Sequence, residues 1–408
     1  MIYDVVIIGN SAAAISAVNT IRKLNKNISI ALIDRENTVA YSRVLTPYYI
    51  SGKTDLNGLF MVDESYYKNN HISVFFGSEA IFIDRKGHEV HLANGKRLPY
   101  KKLLIANGAE AIPPKFYGDN ILNLRHLDDA KRLRKYFLTS KTVVGFGAGL
   151  VTIPMLSHFH EDVKKYLILS SNKILSRLLD DESAEMLETF LDDKGLFICK
   201  EEDIEHVENK NNKTVLYLRS GKNIECDCLI VGKGVKPNIE LASESGVKTN
   251  YGVLIDEYCQ TNDPDIFAAG DVAEGYEFDT KRKVIQGNWI TAVEQAEIAA
   301  KNILGLGVTY DGSFKCNITK VFGVGIAVVG IINDNLYETD KYYNPIMNIY
   351  RKYFIDNNGI IRGVVLINNT DEAGIYYGLI KQNMLYEVIK KHNKGINYSK
   401  VLKYLDYK

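Results

Sequence analysis

At 408 residues the chain exceeds one typical domain, and two or three domains are expected. Its 46% hydrophobic and 25% charged residues are ordinary for a globular protein, and 50 basic side chains balance 50 acidic ones. That balance excludes a whole-chain attraction to nucleic acid or anionic lipid, and no apolar run approaches the ~18 residues needed to span a bilayer.

The chain opens on MIYDVVIIGNS, with an acid at Asp4 and no basic leader, so no secretion signal is expected. The β-branched run Val5 to Ile8 ends at Gly9, and small residues follow. Ile15, Val18 and Ile21 then recur at helical spacing, and a second apolar strand ends on Asp34, 25 residues after Gly9. This is the strand–helix–strand pattern of a dinucleotide site. It combines a tight turn, a close backbone approach to a pyrophosphate, and a helix N-terminus whose free N–H groups bind anion. The acid closing the second strand accepts hydrogen bonds from a ribose. Its three small positions read Gly9, Ser11 and Ala14.

A second copy begins in KTVVGFGAGLVTIP. Val143 and Val144 predict strand, Gly147 and Gly149 the turn and close approach, and Leu150 to Phe159 a helix. Thr152 falls at the third small position, where its size is expected to push the helix slightly off the sheet. Pro154, in the helix's first turn, is tolerated because N–H groups there lack partners anyway. Placing Gly147 over Gly9 brings Ser170 and Ser171 near the place of Asp34, so the ribose acid is missing. Ser170, Ser171, Lys173 and Arg177 are expected to receive a 2′-phosphate instead. Two readings stand: an altered working site, for NADPH as readily as NADH, or a packing relic that binds nothing.

The five cysteines are too few and scattered for a disulfide scaffold, which favours a reducing cytoplasm. Cys226 and Cys228 are expected to share one face of a strand as buried thiols. No further ligand accompanies them at metal-site spacing, so no metal is expected. His158 and His160 read as helix-surface residues.

Two later segments, YKKLLIANGAEAIPP and TNDPDIFAAGDVAE, are apolar strands reaching Ala106-Asn107-Gly108 and Gly270-Asp271. With NWITAVEQAEIAAKNILG behind them, the order of motifs resembles the FAD-dependent pyridine nucleotide–disulfide oxidoreductases over residues 1 to about 308. YSRVLTPYYISGK and the Leu241–Glu274 segment resemble the branch holding NADH:rubredoxin reductases and the flavin domain of assimilatory nitrite reductase.

The resemblance implies an α/β fold with two Rossmann-like domains, glutathione-reductase-like, and a small C-terminal α+β domain. Residues 1–112 and 252–308 form the FAD domain, 113–251 the NAD(P) domain and 309–408 the third. It implies FAD contacts from Gly9, Ser11, Ala12, Asp34 and Arg35, with Arg43 near the flavin and the Ala80 backbone at the adenine. Ala106, Asn107 and Gly108 approach the cofactor, Asp271 after Gly270 bonds its ribityl or pyrophosphate part, and Trp289 and Gln295 line the helix under the flavin's pyrimidine edge. Asn107 departs from the threonine usual in its triplet. Gly147, Gly149, Ser170, Lys173 and Gly232 fall to the NAD(P) site.

The family's disulfide-reducing members carry a cysteine facing the flavin, and the matching position here is Val44. Residues 1 to 198 contain no cysteine, and a thiol relay needs sulfur within bonding reach. Disulfide, coenzyme A disulfide and mercuric reduction are therefore not expected. What remains is NADH or NADPH reducing FAD and electrons leaving to a small redox protein such as rubredoxin or ferredoxin, or to a small molecule. Alternatives are an NAD(P)H oxidase, a flavin-bearing electron-transfer subunit, or a non-catalytic FAD-stabilised partner-binding protein. From about Tyr310 the pattern changes to strands with an Asn358-Gly359 turn, then a helix. In the family this domain covers the flavin and often forms a dimer contact, so a homodimer is compatible. The closing YEVIKKHNKGINYSKVLKYLDYK is aromatic and basic and reads as a solvated helix with Tyr386, Val388 and Ile389 packing inward.

Overall fold

The computed structural model describes residues 1–210, 213–278 and 280–390. The chain falls into two compact units, the first holding Met1–Ile112, Arg125–Arg134 and Gly234–Phe314, the second Pro113–Leu124, Lys135–Lys233 and the chain from Lys315. Residues 234–251, expected with the NAD(P) domain, thus group with the first unit.

In the first unit β1 (Tyr3–Ile8) leads into α1 (Ala12–Leu24), β2 (Ile30–Ile33) and, later, β3 (Arg97–Ile105). β1 lies between β2 and β3, all parallel, with Ile7 opposite Leu32 on one side and Leu104 on the other. Val5 to Ile8 and Ile30 to Ile33 are buried on both faces, which explains continuous apolar runs rather than alternation.

In the second unit β4 (Thr142–Phe146), α2 (Thr152–His158), β5 (Lys164–Ile168) and β6 (Cys228–Val231) repeat the plan, with β4 between β5 and β6. Back in the first unit, β7 (Ile266–Ala268) joins the outer edge of β3, and α3 (Trp289–Ile303) follows. The α3 residue Ala292 and Ala13 of α1 both come within 3.5 Å of the point where a Gly270 Cβ would sit, so these helices meet through small side chains.

The second unit also carries a five-stranded antiparallel sheet, ordered Cys316–Val321, Val324–Gly330, Ile361–Ile367, Ile349–Ile355, Glu338–Asn344, with the Ala373–Lys381 helix. The Asn358-Gly359 turn forms as expected, Gly359 taking φ +75°. Lys352, nearly fully buried, is ringed by Asp180 at 2.7 Å, Asp334 at 2.9 Å and Glu182 at 3.2 Å. That fastens the sheet to the Asp181–Leu191 helix. Removing Lys352 alone would leave the buried Asp180 carboxylate without its counter-charge. Tyr386 is buried as expected; the Ile389 side chain and residues 391–408 lie outside the described residues.

Candidate functional site

The first unit's site begins with a steric requirement. Gly9 has φ +114°, and a Cβ there would stand 2.1 Å from the Ala106 carbonyl oxygen. No other residue fits where the β1–α1 turn crosses the end of β3. The crossing is fixed by Gly9 N donating to the Ile33 carbonyl and Ala106 N to that of Ile8. Ser11 is the N-cap of α1 in extended geometry, and its side chain does not cap the helix. Its Oγ instead accepts from Arg43 Nη1 at 3.0 Å, leaving the first N–H groups of the helix for an anion; Ala12 is the first helical residue.

Charged side chains converge at the same end of the sheet. Arg43 also pairs with Glu36 at 2.9 Å. His126 has Nδ1 3.2 Å from Glu36 Oε1 and Nε2 2.8 Å from Glu110 Oε1, so as an imidazolium it donates to both. Its hydrogen bond to Glu36 raises the His126 pKa above the ordinary value despite burial. Burial would raise Glu36, but His126, Arg43 and the Leu127 N–H together bring its pKa down to about 2. Arg35 contacts Glu110 and His126. Arg125 donates to the Ala109 carbonyl at 2.7 Å and to Asp271 Oδ2 at 3.1 Å. Asp34 behaves differently: its carboxylate accepts from Glu36 N at 2.7 Å, and burial raises its pKa. Glu36, Glu110, Arg125 and His126 were not singled out from sequence, although Arg125 and His126 precede a visible helix-start acid, Asp129, which accepts from both their N–H groups.

The other expected residues stand as follows. Gln295 is 2% exposed and accepts from Gly270 N at 2.9 Å. Through that bond it holds the Gly270-Asp271 turn. Asn107 and Asn238 clasp one another's backbone, Asn107 Nδ2 donating to the Asn238 carbonyl and Asn238 Nδ2 to that of Asn107. Gly108, φ +68°, faces the Arg125 guanidinium. Ala80 starts an antiparallel strand opposite Leu92, and Trp289, the first residue of α3, is 40% exposed. Val44, next to Arg43, is 63% exposed. Cys259, the first unit's sole cysteine, is fully buried and its thiol pKa is raised by that burial.

The second unit repeats the crossing. Gly147 has φ +99°, and its Cβ would stand 2.3 Å from the Gly232 carbonyl oxygen. Gly147 N donates to Ile168 and Gly232 N to Phe146, the same two bonds as in the first copy. This register pairs Ala106-Asn107-Gly108 with Gly232-Lys233-Gly234, and Asp34 with Leu169, a buried apolar residue. Ser170 and Ser171 follow one and two places later. Gly149 has open space where its Cβ would be. Thr152 is fully buried, with Cγ2 and Oγ1 filling the spaces that Cβ atoms at Gly145 and Gly232 would need, 2.4 and 2.0 Å away. Two glycines on neighbouring strands absorb its bulk. Lys173 is held by Asp181 at 2.5 Å, so its charge is already matched. Lys233 instead reaches Ser170 Oγ at 3.1 Å, its ammonium 3.4 Å from the centre of the Phe146 ring.

Cys226 and Cys228 do not share a strand face. Cys226 ends the Asn223–Cys226 strand and Cys228 begins β6, in a different sheet. Both are buried, and burial pushes the Cys226 thiol up to about 12. Among the described residues no cluster of ligands fits a metal ion, and no helix is long and apolar enough to cross a membrane.

Two glycine–carbonyl crossings, each at the carboxyl ends of a parallel sheet, define a protein with two dinucleotide-binding units. The model of the pyridine nucleotide-disulphide oxidoreductase family matches residues 3–296, and that of the rubredoxin NAD+ reductase C-terminal domain matches residues 316–384. The chain belongs to the pyridine nucleotide-disulphide oxidoreductase family, FAD-dependent oxidoreductases that use NADH or NADPH. It is 30% identical to the NADH-dependent phenylglyoxylate dehydrogenase subunit epsilon of Aromatoleum evansii, over 92% of this chain and 90% of that one. It is 27% identical to the assimilatory nitrate reductase electron transfer subunit of Bacillus subtilis (strain 168), over 92% of this chain but 49% of that protein, so it spans about half of that relative. The fold matches a crystallised putidaredoxin reductase–putidaredoxin complex with TM-score 0.87 at 22% identity, covering 93% of each chain.

Proposed function

We propose that the protein takes hydride from NADH or NADPH onto FAD and passes electrons to a small redox protein of the rubredoxin or ferredoxin kind. The observation carrying this reading is the doubled crossing, Gly9 over Ala106 and Gly147 over Gly232, in one chain. The first copy fits FAD by its donor set. The Gly9–Ser11 turn and the α1 N-terminus receive the pyrophosphate, and Arg43 and Arg125 supply charge-assisted donors. Asp271, oriented by Arg125 and by the turn that Gln295 holds, accepts from ribityl or ribose hydroxyls. Arg35, Asp34 and the Ala80 strand lie toward the adenosine half, and Trp289 shields the start of α3. The Gly147 turn of the second copy, with Gly149 open, takes the nicotinamide dinucleotide.

FAD, when bound, supplies the two-electron chemistry with the nicotinamide and the hand-on to the acceptor. The protein positions the partners and tunes charge. Arg43, held by Glu36 and Ser11, keeps a cation beside exposed Val44, where a thiol-relay enzyme would carry sulfur. With Val44 in that place and Cys259 sealed in the core, the first unit presents no exposed thiol to relay electrons through. The rubredoxin reductase-type C-terminal domain supports a small protein acceptor. We assign three domains on the sequence boundaries, adjusted so that 234–251 joins the FAD part, and a cytoplasmic setting that suits five free cysteines.

A second reading is a flavin-bearing subunit of a larger dehydrogenase, favoured by the end-to-end match to a dehydrogenase epsilon subunit. Anaerobic mixing with NADH, then NADPH, separates the cases. Rapid loss of the flavin's visible absorbance with either nucleotide, restored by oxidised rubredoxin or ferredoxin, is the expected result. Loss restored only within a purified multi-subunit complex favours the subunit, and no loss with either nucleotide removes nucleotide-driven reduction.

A further inference from the structure

Among the differences between the copies is a cation of the second, Lys233, that has no ion-pair contact among the described residues. By register Lys233 stands where the first copy has Asn107, directly after the strand that crosses the glycine turn. Asn107 uses its side chain on Asn238. Lys233 extends instead across the carboxyl end of β4, over Phe146, to Ser170 at the end of β5. It therefore spans the opening above the Gly147 turn, from the strand on one side of β4 to the strand on the other.

Four observations bear on what it waits for. Among the described residues no carboxylate pairs with its ammonium, unlike Lys173 on Asp181 or Lys352 on its three acids. The Lys233 ammonium is partly buried, and burial lowers its pKa; a partly desolvated cation whose direct contacts are a hydroxyl and a ring face gains from an anion. Of the nearby charges acting on it, the Asp203 carboxylate weighs more than the second cation, Lys115, although neither is in ion-pair contact with it. At the same strand end Leu169 replaces Asp34, so no carboxylate of β5 repels an added phosphate.

The geometry points to Lys233, with Ser170, as the pair that binds the 2′-phosphate of NADPH, which makes Lys233 the residue that sets the nucleotide preference of this second site. It rests on the nucleotide reading proposed above. It moves the phosphate-reading role from the end of β5, where Lys173 is already matched by Asp181, to the neighbouring strand β6. Lys233 and the Ser170 hydroxyl then donate to phosphate oxygens, and unphosphorylated ribose gains nothing comparable from the cation.

The test is calorimetric titration of the FAD-loaded protein with ADP-ribose and with 2′-phospho-ADP-ribose, neither of which transfers hydride. Wild type is expected to bind the phosphorylated probe more tightly. Lys233→Gln should weaken that probe by about 10-fold or more and leave ADP-ribose within about threefold, and Lys233→Arg should restore most of the difference. A parallel loss for both probes, or no loss for either, overturns the assignment while leaving nucleotide binding intact. Wild type that binds neither probe overturns the nucleotide reading itself, and this inference with it. Equal thermal melts of wild type and both variants confirm that binding, not folding, has been read.

Discussion

The two dinucleotide-type units share a backbone and differ in what decorates it. In each, a positive-φ glycine passes under a carbonyl of the adjacent strand, at distances no Cβ tolerates. In the first, the opening is ringed by Arg35, Glu36, Arg43, Glu110, Arg125, His126 and Asp271. In the second, the corresponding strand ends carry Leu169, Ser170 and Lys233. The crossing answers to sterics, which every ligand-compatible version must satisfy. The charges answer to the ligand and are free to change. The second loop reads as altered in sequence because Thr152 stands at the third small position and the acid is missing, yet Gly145 and Gly232 leave room for the threonine.

The largest effect expected comes from breaking one crossing at a time. Gly9→Ala and Gly147→Ala each combine left-handed strain with a backbone clash and should cost about 2–5 kcal/mol. The consequences differ by unit. Gly9→Ala should purify with little or no flavin by absorbance, whereas Gly147→Ala should keep its flavin and lose reduction by nucleotide. Equal flavin loss in both would erase the division of labour between the copies.

The two glycine turns were legible because each is built from residues close in sequence: a strand, a glycine, small residues, an apolar helix stripe; the carbonyls they pass, at Ala106 and Gly232, lie far along the chain. The charged ring was not, since Arg35 meets Glu110 across 75 positions, Glu36 meets His126 across 90 and Arg125 meets Asp271 across 146. No local periodicity reports such pairings. Gln295 lay on a visible helix, but which way its amide turns depends on the packing of Gly270 against that helix. Thr152 was judged alone, whereas its fit depends on Gly145 and on Gly232, 80 residues onward. Cys226 and Cys228 looked like one strand because the corner at Asp227 has no glycine or proline to mark it.

A second contrast can be sharpened with pH. Glu36 titrates at about 2 against an ordinary 4.5. A depressed carboxylate contributes stability that is present above pH 4.5 and lost as pH falls toward 2, here about 2–3 kcal/mol. His126 is raised above 6.5, so its contribution is complete below that pH and fades as pH rises through its own pKa. By register the second copy has Ser171 in place of Glu36 and no such titration. Urea midpoints across pH 2–8 should rise from the acid side and then decline for wild type, and Glu36→Gln should flatten the acid limb. An unchanged acid limb would assign that stability elsewhere.

The smallest expected effect isolates the accommodation of Thr152. Its Oγ1 is buried, has no hydrogen-bond partner among the described residues, and occupies the space beside Gly232. Gly232→Ala would drive a methyl to within 2.0 Å of that oxygen, a local overpacking expected to cost about 1–3 kcal/mol. Thr152→Ala empties part of the same space and should cost about 1 kcal/mol or less, because a lost methyl is offset by the removal of an unsatisfied hydroxyl. In the double variant the new methyl enters the vacated space, so the costs should fall short of adding by about 1–2 kcal/mol. Strict additivity in denaturant titrations would mean that the two residues do not compete for one volume. The helix would then owe its position to something other than the glycine opposite it.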